Sequence, residues 1–202
     1  MPMLVNNRIS SLVPEVTGWR HWLHQNPELL FDLPKTQEFI LNTLAKIGIT
    51  DVYTGLGKTG VVAIIEGQQS GPMIGLRSDM DALPLFELSD IPHKSNENGK
   101  MHACGHDGHT AMLLGAAQYL QETRNFAGRV ALVFQPAEEG GVGANAMLKD
   151  GLFEKFDISE IYGMHNMPGL PVGEFALCHG PSHAAVDTFE VQIEGSGAHA
   201  AR

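Results

Sequence analysis

The sequence predicts an α/β fold with an open sheet, and three observations carry that prediction. Short apolar runs, the β-branched Val61 to Glu66 between glycines and Met73 to Leu76, read as strands buried on both faces. Stretches with a 3.6-residue apolar period lie before and after them. Residues able to bind metals or move protons cluster at 79–81, 104–109, 138–139 and 165, each just after a strand or at the start of a helix. Open α/β sheets collect their ligands at the carboxyl ends of strands, so strands that are neighbours would bring these clusters to one edge.

The elements follow in order. Ile9, Leu12, Val13, Val16, Trp19 and Leu23 fall near a helical period, which predicts a helix over roughly Ile9 to His24 with Trp19 and Trp22 in its core. It ends at Asn26-Pro27, because the residue before a proline resists the helical region. Pro34 suits the first turn of a second helix through Phe39, Ile40, Leu44 and Ile47, stopped by Gly48. Leu83 to Lys100 is polar and broken by Pro84, Pro92 and Gly99, a surface excursion. Ala111 to Leu120 is an apolar, alanine-rich helix. Arg129 to Phe134 reads as a third strand, Ala144 to Leu148 as a short helix closed near Gly151, Ile158 to Met164 as a fourth strand and Gly173 to Cys178 as a fifth. Beyond Gly180-Pro181, Phe189, Val191 and Ile193 alternate with polar residues, as in a half-exposed strand of a different sheet, which places a domain boundary near residue 184.

Composition narrows the partners. The chain has 202 residues, 43% of them hydrophobic, and a formal net charge of -10. That charge argues against nucleic acid or an anionic membrane surface and for a small molecule or a protein. No basic stretch with an apolar core opens the sequence, and no run of about 18 apolar residues occurs, so a cytoplasmic protein is expected. Cys104 and Cys178, 74 positions apart, make no disulfide framework and fit a reduced compartment.

The densest chemistry lies in Met101 to Thr110, where three histidines, a cysteine and an aspartate surround two glycines. Gly105 allows a tight turn that points Cys104 and His106 into one pocket. A metal held by Cys104, His106, a glutamate and His165 has soft and borderline ligands suited to Zn, Mn, Co or Ni rather than Mg or Ca. Of the pair Glu138-Glu139, one carboxylate can bind the metal while the other stays free as a general base. Coordination lowers the pKa of water from about 15.7 towards about 7, so hydrolysis of an amide or ester is the natural reaction class. Taken singly, Cys104 is better explained by simple burial, the commoner fate of a free cysteine, and Glu138-Glu139 can be a solvated helix start; it is their combination with His106 and His165 that favours a metal. His102 and His109 read equally well as hydrogen-bonding residues of a loop or helix start and stand outside the metal set. Asp79 and Asp81 divide a bracing and a site-facing role in either order.

The chain resembles the amidohydrolase branch of the M20 metallopeptidase family, which includes hippurate hydrolases, N-acyl-amino-acid amidohydrolases and plant auxin-conjugate hydrolases. The resemblance rests on His24-Gln25-Asn26-Pro27-Glu28-Leu29, Leu76 to Pro84, Met101 to Thr110, Phe134 to Gly140 and Gly163 to Asn166. It implies a three-layer, zinc-exopeptidase-like catalytic domain with a mostly parallel sheet over residues 1–184, incomplete at its C-terminal part, and the first strand of an α+β dimerisation (lid) domain over 185–202. It implies two divalent ions, Mn or Zn first and Co or Ni next, with Cys104, His106, Glu139 and His165 as ligands and Glu138 as the base. Asp81 would sit beside the site and orient an imidazole rather than bind the metal. His199, in Gly195 to Ala200, would stabilise the oxyanion in the active site of a partner chain, the full-length protein being a homodimer or larger. Ser196 and Ala198 stand where the family usually has lysine and glycine. The implied substrates are N-acyl amino acids, with a dipeptidase or carboxypeptidase, or a metal-binding fragment without turnover, as alternatives. The family chain is about twice this length, so this sequence is expected to be truncated, ending at Arg202 just inside the second domain.

Overall fold

In the computed structural model, residues 7–181 and 187–197 are described. The chain divides into two compact units, Met1–Met167 and Pro168–Arg202. The first unit holds ten elements in the order α1 (Asn7–Gln25), α2 (Pro34–Ile47), β1 (Val52–Leu56), β2 (Gly60–Glu66), β3 (Gln69–Asp79), α3 (His106–Thr123), β4 (Ala127–Gln135), α4 (Gly143–Lys149), α5 (Leu152–Phe156) and β5 (Ile158–Gly163).

The five strands form one sheet in the order β1-β2-β4-β3-β5. The parallel arrangement implied by the family holds for β3, β4 and β5. The sheet as a whole is mixed, because β2 runs antiparallel to both β1 and β4. The alternation of β2 explains its burial on both faces. Val61, Ala63 and Ile65 join Ile40 and Leu44 of α2, Leu113, Leu114 and Ala117 of α3, and Leu132 and Phe134 of β4 in one core. Val62 and Ile64 face the other way, onto Ala131, Val133, Met147 of α4, and Leu152 and Phe156 of α5. The result is three layers, with α3 on one face and α4 and α5 on the other. Passing from β3 to β4 through α3, then from β4 back past β3 to β5 through α4 and α5 on the opposite face, keeps both crossovers of one hand.

Several boundaries follow their local signals. Pro34 opens α2, and Gly48 closes it in the left-handed region at φ 86. Glu28, in the stretch before α2, turns its buried carboxylate to the start of that helix and accepts the Lys35 and Thr36 N–H groups at 3.2 and 2.8 Å. Trp22 stacks on Phe39 with ring centroids 4.2 Å apart, fastening α1 to α2.

Other expectations fail. Strand β1 and helix α5 were not foreseen, since β1 carries only a weak apolar pattern and α5 is five residues long. The strand expected over Gly173 to Cys178 is not formed, and within the second unit no described segment pairs with it, so its N–H and C=O groups have no ladder partner. Phe175 and Leu177 there are exposed, and 187–197, read from its alternation as a strand, also has no regular structure. An alternating pattern makes a strand only where a neighbour supplies the hydrogen bonds.

Candidate metal centre

The site forms where the parallel strands end together. Asp79 of β3 stands opposite Gln135 of β4, and Arg77 stands opposite Gly163 of β5. The segments leaving these strands therefore carry Asp79 to Asp81, Glu138-Glu139 and His165-Asn166 to one edge, as the carboxyl-end rule anticipates. The loop before α3 brings Cys104 and His106 to the same place. Gly105 adopts φ 91, and a Cβ there would overlap the Asn166 side-chain oxygen, so the turn between the two ligands requires glycine.

His106 is fully buried at the centre. Its Nδ1–H donates to the Asp81 carbonyl at 2.8 Å, which leaves Nε2 as the free lone pair. That nitrogen has no hydrogen-bond partner and faces carboxylate oxygens of Asp79 at 3.6 Å and of Glu138 and Glu139 at 3.8 Å. Glu139 Oε1 is likewise buried without a partner. Cys104 Sγ lies 3.4 Å from His165 Nε2, whose ring donates from Nδ1 to the Asn166 carbonyl at 2.7 Å. Ligand atoms of Cys104, His106 and His165 fall within 4.8 Å of one another, as do those of His106, Glu138 and Glu139, and of Asp79, His106 and His109.

These separations suit a cation. Donors about 2.0 to 2.3 Å from one ion in tetrahedral array stand about 3.5 Å apart. A lone pair on His106 Nε2 facing these carboxylates calls for a positive charge between them, a proton or a bound cation. A thiol, imidazoles and carboxylates form a donor set for a first-row transition ion.

Charge in the pocket points the same way. Burial raises the Cys104 thiol to about 11, with Glu139, Glu138 and Asp79 adding to the rise. Burial also raises Glu139, helped by Glu138 and opposed by His106. For His106, burial presses the pKa down, but the Asp81 contacts and the charge of Asp79 outweigh it and leave the ring above its usual range. Burial pushes Asp79 up as well, yet the His109 hydrogen bond and the charges of Arg77, His106 and His109 hold it at about 2.

Cys104, His106, Glu138, Glu139 and His165, the residues singled out by the sequence, thus lie together at this edge. His199 lies outside the described residues. Asp81 is buried and does more than orient an imidazole: its two carboxylate oxygens accept the N–H groups of Glu138 and Glu139 at 2.9 and 3.2 Å. The ring of His106 is held by the Asp81 main-chain oxygen. Just ahead of the glutamates, buried Ala137 adopts φ 53, a left-handed conformation that a side chain disfavours. His102 is buried with neither ring nitrogen paired, and burial lowers it to about 4, so it is a neutral ring outside the ligand group.

His109, which the sequence left open between a hydrogen-bonding and a site residue outside the metal set, is bound at both ring nitrogens. Its Nδ1 donates to Asp79 at 2.6 Å, and its Nε2 meets the Asn166 side chain at 2.6 Å and the Asn166 N–H at 3.1 Å. A signal existed: on a helix beginning at His106, a residue three positions on shares its face.

A three-layer α/β fold with a cysteine, two histidines and paired glutamates at the carboxyl edge of its parallel strands defines the class: an α/β protein with a candidate metal centre at its strand ends. The family model of peptidase family M20/M25/M40 matches residues 75–201, and the chain belongs to that family. It is 46% identical over 196 residues to the hippurate hydrolase of Campylobacter jejuni, covering 94% of this chain and 51% of that one. It is 48% identical over 194 residues to the N-acetyl-L-cysteine deacetylase of Bacillus subtilis, covering 96% and 46%. The crystal structure of the Bacillus subtilis YXEP protein, a dinuclear metal binding peptidase of the M20 family, superposes with a TM-score of 0.77 at 41% identity, covering 81% of this chain and 46% of that one. The chain spans about half the length of the curated relatives it matches.

Proposed function

We propose that the chain belongs to a divalent-metal amidohydrolase that cleaves the amide bond of small N-acyl amino acids. The observation that carries this reading is the pair of buried, unpartnered acceptors, His106 Nε2 and Glu139 Oε1, turned towards each other beside Cys104 and His165. Cys104, His106, Glu139 and His165 would hold the ion. Five donor side chains, with Asp79 added, exceed what one tetrahedral ion needs, which favours two ions, Mn or Zn first and Co or Ni next.

A bound divalent ion supplies Lewis-acid activation of water and of the acyl carbonyl. The chain's own residues do the rest. Glu138, whose side chain is 39% exposed at the rim, accepts a proton as the water oxygen bonds to the acyl carbon. It returns that proton to the amine nitrogen as the C–N bond breaks, giving a carboxylic acid and a free amino acid. Asp81 keeps both glutamates in place by accepting their backbone N–H groups. His199 of a second copy would donate to the developing oxyanion. In this reading residues 1–184 belong to the catalytic domain and 185–202 open a dimerisation domain, with the enzyme working in the cytoplasm.

The names of the hippurate hydrolase and the N-acetyl-L-cysteine deacetylase support N-acyl amino acids as the substrate class. The word peptidase in the description of the similar crystal structure supports a second reading, a dipeptidase. Elemental analysis of the purified chain, paired with hydrolysis assays on hippurate, N-acetyl amino acids and dipeptides with added Mn, Zn or Co, separates them. Stoichiometric metal and faster cleavage of acyl amino acids is the expected result. Preference for dipeptides gives the second reading, and bound metal without turnover makes the chain a silent metal-binding fragment.

A further inference from the structure

We propose that His109 is a positioning residue of the metal centre, a buried strut that sets His165 against Cys104. The proposal rests on the metal-centre reading above and concerns a side chain outside the ligand group.

His109 is 3% exposed and bridges two strand ends. Asp79, at the end of β3, accepts from Nδ1 at 2.6 Å. Asp79 is itself fixed by Arg77 Nη1 at 2.8 Å, and its carbonyl accepts the Thr110 hydroxyl at 2.9 Å. The other ring nitrogen meets Asn166, just past β5, through both its side chain and its backbone N–H. Asn166 then receives the His165 Nδ1–H on its carbonyl at 2.7 Å, which turns His165 Nε2 towards Cys104 Sγ at 3.4 Å.

Two further features fix the strut. The rings of His109 and His165 pack edge to face with centroids 4.5 Å apart. Gly105 leaves the space that the Asn166 side chain occupies, so the ligand turn and the strut are fitted to each other. Strand β5 is the outer strand of the sheet beside β3 and is exposed along most of its length. Groups that orient metal ligands commonly change metal affinity 10- to 100-fold when removed.

The test compares His109→Ala, His109→Gln, His109→Asn and Asn166→Ala with the unaltered 202-residue chain. Glutamine places an amide near the Nε2 position and asparagine one near Nδ1. The readouts are Co(II) affinity by equilibrium dialysis, the thiolate-to-cobalt absorption band of Cys104, and the thermal unfolding midpoint without metal. The expected result is a 10- to 100-fold loss of Co(II) affinity and a shifted or weakened band in His109→Ala and Asn166→Ala, with His109→Gln closer to the parent than His109→Asn. Should His109→Ala fail to fold, Asn166→Ala and the glutamine variant decide the matter. Unchanged affinity and band in folded His109→Ala, or in Asn166→Ala, overturns the proposal while the metal reading stands. Losses that only parallel the metal-free unfolding midpoint, with no rescue by glutamine, also overturn it. No cobalt band in the unaltered chain sinks the metal reading, and the proposal with it.

Discussion

At the residue scale, the site depends on groups that tolerate little change. Glu138 reaches the pocket from an exposed rim, whereas Glu139 buries an unpartnered oxygen in it, so only the former is free to carry protons. Glu138→Gln should lower turnover at least 1,000-fold and leave metal content intact; retained activity would remove Glu138 from the proton-transfer role. Gly105→Ala places a side chain at φ 91 and against Asn166. It should cost about 1 to 2 kcal/mol from backbone conformation alone, more with the clash, and weaken metal binding. Denaturant titration and equilibrium dialysis check both, and a variant with the parent's midpoint and affinity would show that the turn relaxes freely. Gly105 and the ligands around it were legible because their spacing encodes local geometry. His109 was not, because its partners lie 30 and 57 positions away.

At the element scale, the end of α1 is tied to the start of α3. His24 Nδ1 contacts Asp107 at 2.8 Å and Nε2 contacts Glu87 at 3.2 Å, while Arg20 reaches the same Asp107 at 3.2 Å. The Asp107 hydrogen bond raises the His24 pKa against the effect of burial, with Glu87 adding to it. A raised folded pKa gives stabilisation that is complete below the unfolded value of about 6.5 and is lost as pH climbs through the folded value. Asp107 behaves oppositely: burial raises it, the His24 bond and neighbouring cations overcome that, and the net lowering gives stability that is lost in acid. The unfolding midpoint should therefore decline on the alkaline side of about pH 6.5, and His24→Gln should flatten that limb. An unchanged limb in the variant would assign the decline to other groups. The sequence placed His24 at the end of a helix and in a family motif; its pairing with Asp107 joins residues 83 positions apart and needed the packed helices.

At the scale of the whole molecule, the edge of the sheet gathers acidic groups around one buried imidazole. Carboxylate oxygens of Asp79, Asp81, Glu138 and Glu139 lie 3.6, 3.7, 3.8 and 3.8 Å from ring nitrogens of His106, and the Cys104 sulfur lies within 4.8 Å of that ring. Binding that favours the folded state stabilises it by about 2.7 kcal/mol at a free ion concentration 100 times the dissociation constant. Chelation should thus lower the thermal midpoint, and Mn or Zn should restore it. A midpoint indifferent to both would mean that the acidic edge holds no ion in the folded chain.

The sequence by itself determined the α/β class, the helices at Asn7–Gln25, Pro34–Ile47 and His106–Thr123, the strands that make the doubly buried core, and which side chains are candidates to hold a metal. These rest on short-range physics: period, proline and glycine conformation, and the donor chemistry of side chains. Tertiary structure alone decided the antiparallel β1 and β2, the absence of a strand over residues 173–178, the two backbone N–H groups held by Asp81, and the His109 strut. Each of those requires a hydrogen-bond partner brought from elsewhere in the chain. Sequence spacing specifies what a residue can offer, and only the packed sheet supplies what receives it.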